Sequence, residues 1–440
     1  MHIPKTLQKI LLTFIALIGA APFAVLLLLV ETGPIVSPPN PLSGNQLSRI
    51  EQLLLESVPS SPGIPSQQSI ELKIDELNLL LGYGFDLINL SPSWTAKLEI
   101  EQEVLYSRLS IELLSRWTPI YLNITSEFIE ENKQLRLNKV AIGKIQIPSR
   151  VVELGLERIN NTLANSIPIF SNFKSLASNI ETVEITDSIM RIQAFWDPAL
   201  IGKLGGEAQR LFISDSDRIR IINYYESINE IVTTIPNDVR AISLNILLAP
   251  LFSEAREKST RSGDPITENR TLLQALAIYV NDDDLSKLVG AEMAAHVTPA
   301  KFIEVRLLRR QDLAQHVVST AAIATSAGAE FAELLSTTKE AYDARYRSGF
   351  SFSDLTANTV GVTLANYLSA DGDTALEIQR RLEELKRETD YMPDVGNNRD
   401  GISESDFNAI YVDRNSSEYK KRLEEIEKIV RDRPLFRGLQ

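Results

Sequence analysis

Cysteine is absent from this chain, and only three histidines occur among its 440 residues. The first absence excludes disulfides, thiolate nucleophiles, thiolate-ligated zinc and a lipid-modified cysteine. Positive charge is also short. Lys and Arg number 45 against 58 Asp and Glu, a net charge of −13. Such a surface is a poor ligand for nucleic acid, which needs basic groups to displace its counterions, so no nucleic-acid partner is expected. Electrostatic adhesion to anionic headgroups is disfavoured for the same reason. No G-x-S-x-G, H-E-x-x-H, Walker A or complete G-x-G-x-x-G occurs. Ser336-Thr337-Thr338-Lys339 matches S-x-x-K but lacks the companion K-T-G and S-D-N elements. In the loop Asp394–Asp406, Gly396 and Phe407 stand where an EF-hand needs acids.

What the chain does have is one long apolar run. Ile10 to Val30 is 21 residues without a charge. A helix of that length spans about 30 Å, the hydrocarbon thickness of a bilayer. Lys5 and Lys9 precede it, and the next basic residue after it is Arg49. That asymmetry predicts a cytoplasmic tail (1–9), a transmembrane anchor (10–30) and a periplasmic remainder held at a bacterial inner membrane. Cleavage after Gly19-Ala20-Ala21 is the competing reading. Pro22 directly after the cut and the apolar stretch through Val30 argue for an uncut signal-anchor.

The pattern beyond the run predicts an α+β protein. Residues 31–68 form a Pro- and Ser-rich linker, interrupted by a short helix in which Leu47, Ile50, Leu53 and Leu54 share a face. Residues 69–200 form an antiparallel-sheet-plus-helix domain. A helix over Asp75–Leu81 stops at Gly82 and Gly84. Period-two strands follow around Trp94–Glu101, Leu109–Leu113, Leu122–Ile124 and Leu135–Leu137, then a short one between Gly143 and Pro148. A helix carries Val152, Leu156, Ile159 and Leu163, and two strands close the domain at Thr182–Asp187 and Ile189–Phe195. Residues 201–440 read as mostly helical, with helices over Ala241–Ser259, Asn269–Val280, Thr374–Thr389 and Ser417–Asp432. Thr298–Leu308 reads as extended, and Asn281–Asp284 as an acidic cap for Leu285–Val289.

Within 69–200, the Glu76–Leu81 helix ELNLLL, the strands and the Ile142–Pro148 turn IGKIQIP after an apolar anchor loosely resemble YpmS-like membrane-anchored ectodomains. A sheet of this kind with a helix laid on it can hold a lipid, or it can be a packed core.

Three successive helical segments each carry a polar stripe. Asp312, His316 and Ser319 share a face of the first; Ser336, Glu340, Asp343 and Arg347 line the second; Asp354, Asn358 and Gly361 line the third. The order Asp312-x-Ala314-Gln315-His316, Lys339-Glu340-x-x-Asp343, Ser348-Gly349-Phe350-Ser351-Phe352-x-Asp354 and Ala357-Asn358-x-x-Gly361 resembles the YfiM-like family of bacterial envelope lipoproteins. The resemblance spans about 50 residues, 312–361. This chain departs from the family at Asn358, where an acid is frequent, and in a shorter segment between His316 and Lys339. The family has no assigned reaction, so the resemblance implies location and fold more than chemistry.

If the three faces converge, His316, Glu340, Asp343 and Asp354 are candidate ligands for a divalent metal such as Mn, Fe, Mg or Zn, with Asp312, Lys339 and Asn358 behind them. Alternatively His316, oriented by Asp312, is a base and Glu340 an acid. A polar stripe between touching helices also serves as a satisfied network that fixes their register. The expected function is a membrane-anchored periplasmic binding or envelope-maintenance module with a lipid or envelope-protein partner. The alternative is a metal-dependent or acid/base hydrolase acting on an envelope component.

Overall fold

A computed structural model describes residues 28–38, 42–88, 93–114, 119–148, 150–152, 154–155, 178–186, 188–200, 213–414 and 416–439. Most of the expected anchor, 10–27, lies outside them, as does most of the helix expected around Val152–Leu163. Val30 is not helical: with Glu31 it forms a short strand, β1 (Val30–Glu31), so the helix expected over 10–30 does not extend to its last residue. Among the described residues no helix is long and apolar enough to cross a membrane.

The chain divides into two compact units, one of Met1–Gln46 with Ser61–Ile201 and one of Leu47–Ser60 with Gly202–Gln440. The first is α+β. Its larger sheet runs β3 (Trp94–Glu101), β4 (Val104–Leu114), β5 (Ile120–Glu131), β6 (Gln134–Ile142), β7 (Ile145–Pro148), all antiparallel, with β1 added beside β5. Two-residue turns, Gln102–Glu103 and Asn132–Lys133, join β3 to β4 and β5 to β6. All four residues have positive φ, the handedness that matches strand twist in tight hairpins. A second sheet orders β2 (Ser66–Lys73), β9 (Ile189–Trp196) and β8 (Ile180–Thr186).

The intervening helix α2 (Ile74–Ile88) runs through Gly82 and Gly84 rather than stopping at them. Each glycine costs about 1 kcal/mol in a helix, which tertiary packing overrides. Ile74 and Leu77 pack with Leu98, Ile100, Leu105, Phe128, Val183 and Met190, filling the space between helix and strands. Asn78 pins α2 by accepting from and donating to the backbone of Leu98, both at 2.7 Å.

The second unit is mostly helical and begins with a helix from the linker, α1 (Gly44–Ser57). Ile50, Leu53 and Leu55 are buried, and Glu51 pairs with Arg414. Just beyond the helix, the carbonyls of Pro59 and Ser60 accept the Tyr342 hydroxyl at 3.1 and 2.8 Å. The linker helix is thus a docked element of the helical unit. The unit continues with α3 (Asp215–Thr233), α4 (Asn245–Ser262), α5 (Pro265–Val280), the single turns α6 (Ser286–Val289) and α7 (Ala291–Ala294), α8 (Gln311–Ala327), α9 (Ala329–Tyr346), α10 (Phe352–Leu368), α11 (Gly372–Glu383), α12 (Glu404–Tyr411) and α13 (Ser417–Arg431).

The helix expected over Ala241–Ser259 divides. Ala241–Ser243 is a strand, β10, paired in parallel with β11 (Glu304–Arg306), and α4 starts after it. A three-residue strand is too short for periodicity to separate from a helix start. Asp264 caps α5 by accepting from the Thr267 amide at 3.1 Å, with Pro265 in the first turn. Asp284 accepts from the Ser286 amide at 2.8 Å, and this bond holds its carboxyl below the ordinary range. The core centres on Tyr224, Leu247, Phe252, Leu272, Leu313, Val317, Leu364 and Phe436.

Candidate functional site

The site is assembled by α8, α9 and α10. The α8 and α10 backbones approach closely because α8 is rich in alanine and Gly361 of α10 has no side chain. A Cβ at Gly361 would lie 2.6 Å from the Val317 carbonyl oxygen and 2.9 Å from the Thr320 Cβ. This approach brings His316 against Asp354 and Asn358, one turn apart on α10. Helix α10 is capped by Ser351, whose hydroxyl accepts from the Asp354 amide at 3.0 Å. Phe350, Phe352, Phe407, Tyr411 and Tyr419 pack as an aromatic cluster that fixes the turn carrying Ser351.

His316 is largely enclosed. Its Nδ1 lies 2.9 Å from Asn358 Oδ1 and its Nε2 lies 3.4 Å from Asp354 Oδ2. The Thr320 hydroxyl donates to the same Asn358 oxygen at 2.9 Å. Burial disfavours the charged ring, but the hydrogen bond and negative charge of Asp354 outweigh it, and the imidazole pKa lies above its usual value. Glu340 is 1% exposed. Its Oε2 accepts from the Ser351 amide at 3.1 Å, while Oε1 has no hydrogen-bond partner among the described residues. Burial pushes this carboxyl up to about 7. Lys339 Nζ stands 3.7 Å from Oε1 but is held by Asp343 Oδ2 at 2.9 Å.

One ligand atom each from His316, Glu340 and Asp354 falls within 4.8 Å of the other two. Donors around an ion at about 2.1 Å stand roughly 3–4 Å apart, so small side-chain movements would close the set. Asp343, expected in the same set, is not in this group. Asp312 does not orient His316: both its oxygens take the Arg310 guanidinium, at 2.5 Å for the shortest contact. Asp354 holds the position expected of Asp312. The i, i+4 spacing put Asp312 and His316 on one face, but a guanidinium two residues away offers a stronger, bidentate partner.

Sequence reasoning missed the frame behind the site. Arg310 also reaches Asp354 Oδ1 at 3.3 Å and Asp400 Oδ2 at 3.1 Å. Asp400 Oδ1 accepts from the Ser351 hydroxyl and the Ser353 amide, at 3.0 and 2.9 Å. Burial opposes ionisation of Asp400, yet these bonds and Arg310 hold its carboxyl below the ordinary range. Asp400 lies in an irregular loop with no periodic signal, and only the fold brings it here. A surface hollow lined by Ser253, Arg256, Glu257, Thr260 and Arg261 of α4 contains none of these residues.

Comparison of the chain with protein-family models, curated proteins and solved structures returned no match.

Proposed function

We propose that the helical unit is a divalent-cation-binding module of a membrane-anchored envelope protein, with His316, Glu340 and Asp354 as ligands. The observation that carries this reading is the buried Glu340 Oε1, which has no hydrogen-bond partner among the described residues and only the Lys339 ammonium 3.7 Å away, beside an imidazole nitrogen and a second carboxylate. A buried acceptor left without a donor costs about 1–3 kcal/mol, and a cation would satisfy it. The Asn358 contact fits the same reading. Histidine ligands usually pass their other ring N–H to an acceptor behind them, and Asn358 Oδ1 takes that place at Nδ1 while Nε2 faces the acids. Asp343 then serves to draw the Lys339 ammonium aside.

One imidazole and two carboxylates suit Mn, Fe or Zn. Three protein donors with open positions are the arrangement of catalytic rather than structural centres, where the ion acts as a Lewis acid toward water or a carbonyl. This favours hydrolysis of an envelope component as the activity. The envelope setting rests on the apolar run 10–30 and on the resemblance of 312–361 to YfiM-like lipoproteins; the binding or envelope-maintenance role is the wider expectation. A second reading, a metal-free acid/base pair, draws on a Glu340 carboxyl pushed up to about 7 beside a His316 whose pKa is raised by Asp354.

The test is equilibrium dialysis of purified protein against Zn, Mn and Fe, with His316→Ala and Asp354→Asn alongside. The expected result is one ion per chain in the native protein and loss in both folded variants. Native protein that retains no ion against chelator-free buffer overturns the cation reading and leaves the acid/base pair.

A further inference from the structure

The chain emerging from the apolar run is not a loose tether. The Lys144 amide donates to the Leu28 carbonyl at 2.8 Å, and Val30 and Glu31 pair with Leu122 and Tyr121. Gly143 makes this approach feasible: its φ is +55°, and a Cβ there would lie 2.6 Å from the Leu29 carbonyl oxygen. The next residues are stapled down by two buried polar side chains. Ser110 Oγ accepts from the amides of Ile35 and Val36 at 3.0 and 3.1 Å, and Asn123 Nδ2 donates to the Gly33 carbonyl at 2.9 Å and to Glu31. No slack separates the end of the apolar run from the sheet.

The strand register defines which end of the sheet this is. Trp94 pairs with Ile111, Ile111 with Leu122, Leu114 with Ile120, and Leu122 with Val30. Among the described residues at that end, large apolar side chains face solvent, including Leu28 at 44%, Trp94 at 36%, Leu113 at 45% and Leu114 at 58% exposed. Lys144 is exposed in the neighbouring turn. Exposed Trp and Leu beside a Lys suit a membrane interface, where indole rings settle at headgroup depth. The net charge of −13 does not oppose this, because charges farther than a Debye length of about 8 Å are screened.

We propose that this end of the sheet rests on a phospholipid bilayer, with Trp94, Leu113 and Leu114 in the interfacial layer around the entry point of residues 10–27. The inference rests on the anchor reading of that run. It adds that the first unit is seated on the bilayer rather than suspended from it.

The absence of native cysteine makes single-cysteine labelling clean. Full-length Leu114→Cys and Glu101→Cys proteins, each carrying an environment-sensitive fluorophore, are reconstituted into phosphatidylcholine vesicles with brominated acyl chains. Glu101 is at the other end of β3, about 23 Å from Trp94 by strand rise. The expected result is co-flotation of both proteins, with the greater part of the emission lost at position 114 and little at 101. Equal, weak quenching at both positions in protein that still floats overturns the seating and leaves the anchor standing. Equal, strong quenching also overturns it, since the unit would then lie on its side. Protein that does not float removes the anchor and the seating together.

Discussion

Glu340 carries an expectation specific to its own atoms. Gln at 340 can still accept from the Ser351 amide but offers no anionic oxygen. Glu340→Gln is expected to fold and to lose cation affinity by 10-fold or more, about 1.4 kcal/mol or above, as read by titration calorimetry. Binding to the native site is expected to release protons, because the Glu340 carboxyl is pushed up to about 7, the His316 pKa is raised, and both groups must be deprotonated to bind a cation. The check is the dependence of binding heat on buffer ionisation enthalpy. Arg310→Met tests the frame. It leaves Asp312, Asp354 and Asp400 unneutralised, and weaker cation selectivity with a lower melting temperature is expected. Of these residues, His316, Glu340, Asp354 and Asn358 could be singled out from stripe position and motif order. Arg310 and Asp400 could not, since their 90-residue separation carries no periodicity.

The α8–α10 pair is the element on which the site depends. Gly361→Ala would force a methyl into the Val317 carbonyl and Thr320, and helix separation rather than side-chain repacking must absorb it. A loss of about 1–3 kcal/mol in denaturant unfolding is expected, with His316 drawn away from Asp354. The loss of cation affinity should therefore exceed that of a surface Gly→Ala change on the same helix. The glycine was legible in sequence as a place of close approach, because it falls on the polar face of an otherwise well-filled helix. The docked linker helix was half legible. Its apolar face was plain, but the surface receiving it is built by residues hundreds of positions later. Leu53→Ala should cost about 2–5 kcal/mol in unfolding of the helical unit. The strand at Ala241–Ser243 was not legible, since three residues give no period to read.

Stability of the metal-free protein should fall as pH rises through neutrality. The Glu340 pKa is raised from 4.5 to about 7 in the folded state. A raised group favours the native state fully below its unfolded pKa, and that contribution disappears as pH climbs through the folded value. The difference integrates to about 3 kcal/mol between pH 4.5 and pH 7. The raised His316 pKa acts in the same sense, from its unfolded value of 6.5 upward. Melting temperature measured across pH 5–9 in chelator is expected to decline through this window. Glu340→Gln should flatten the decline, and added cation should reverse it in the native protein alone.

The contribution of Leu47–Ser60 to the helical unit has a consequence for how the chain can be cut and made. The polypeptide visits that unit, goes back to complete the sheets, and only then supplies its remaining helices. No single break in the sequence yields both halves whole, and a fragment starting at 202 would display a greasy scar where Ile50, Leu53 and Leu55 belong. On the ribosome the visiting helix waits through most of synthesis for its socket, so the last segments to emerge decide when the earliest one is sheltered.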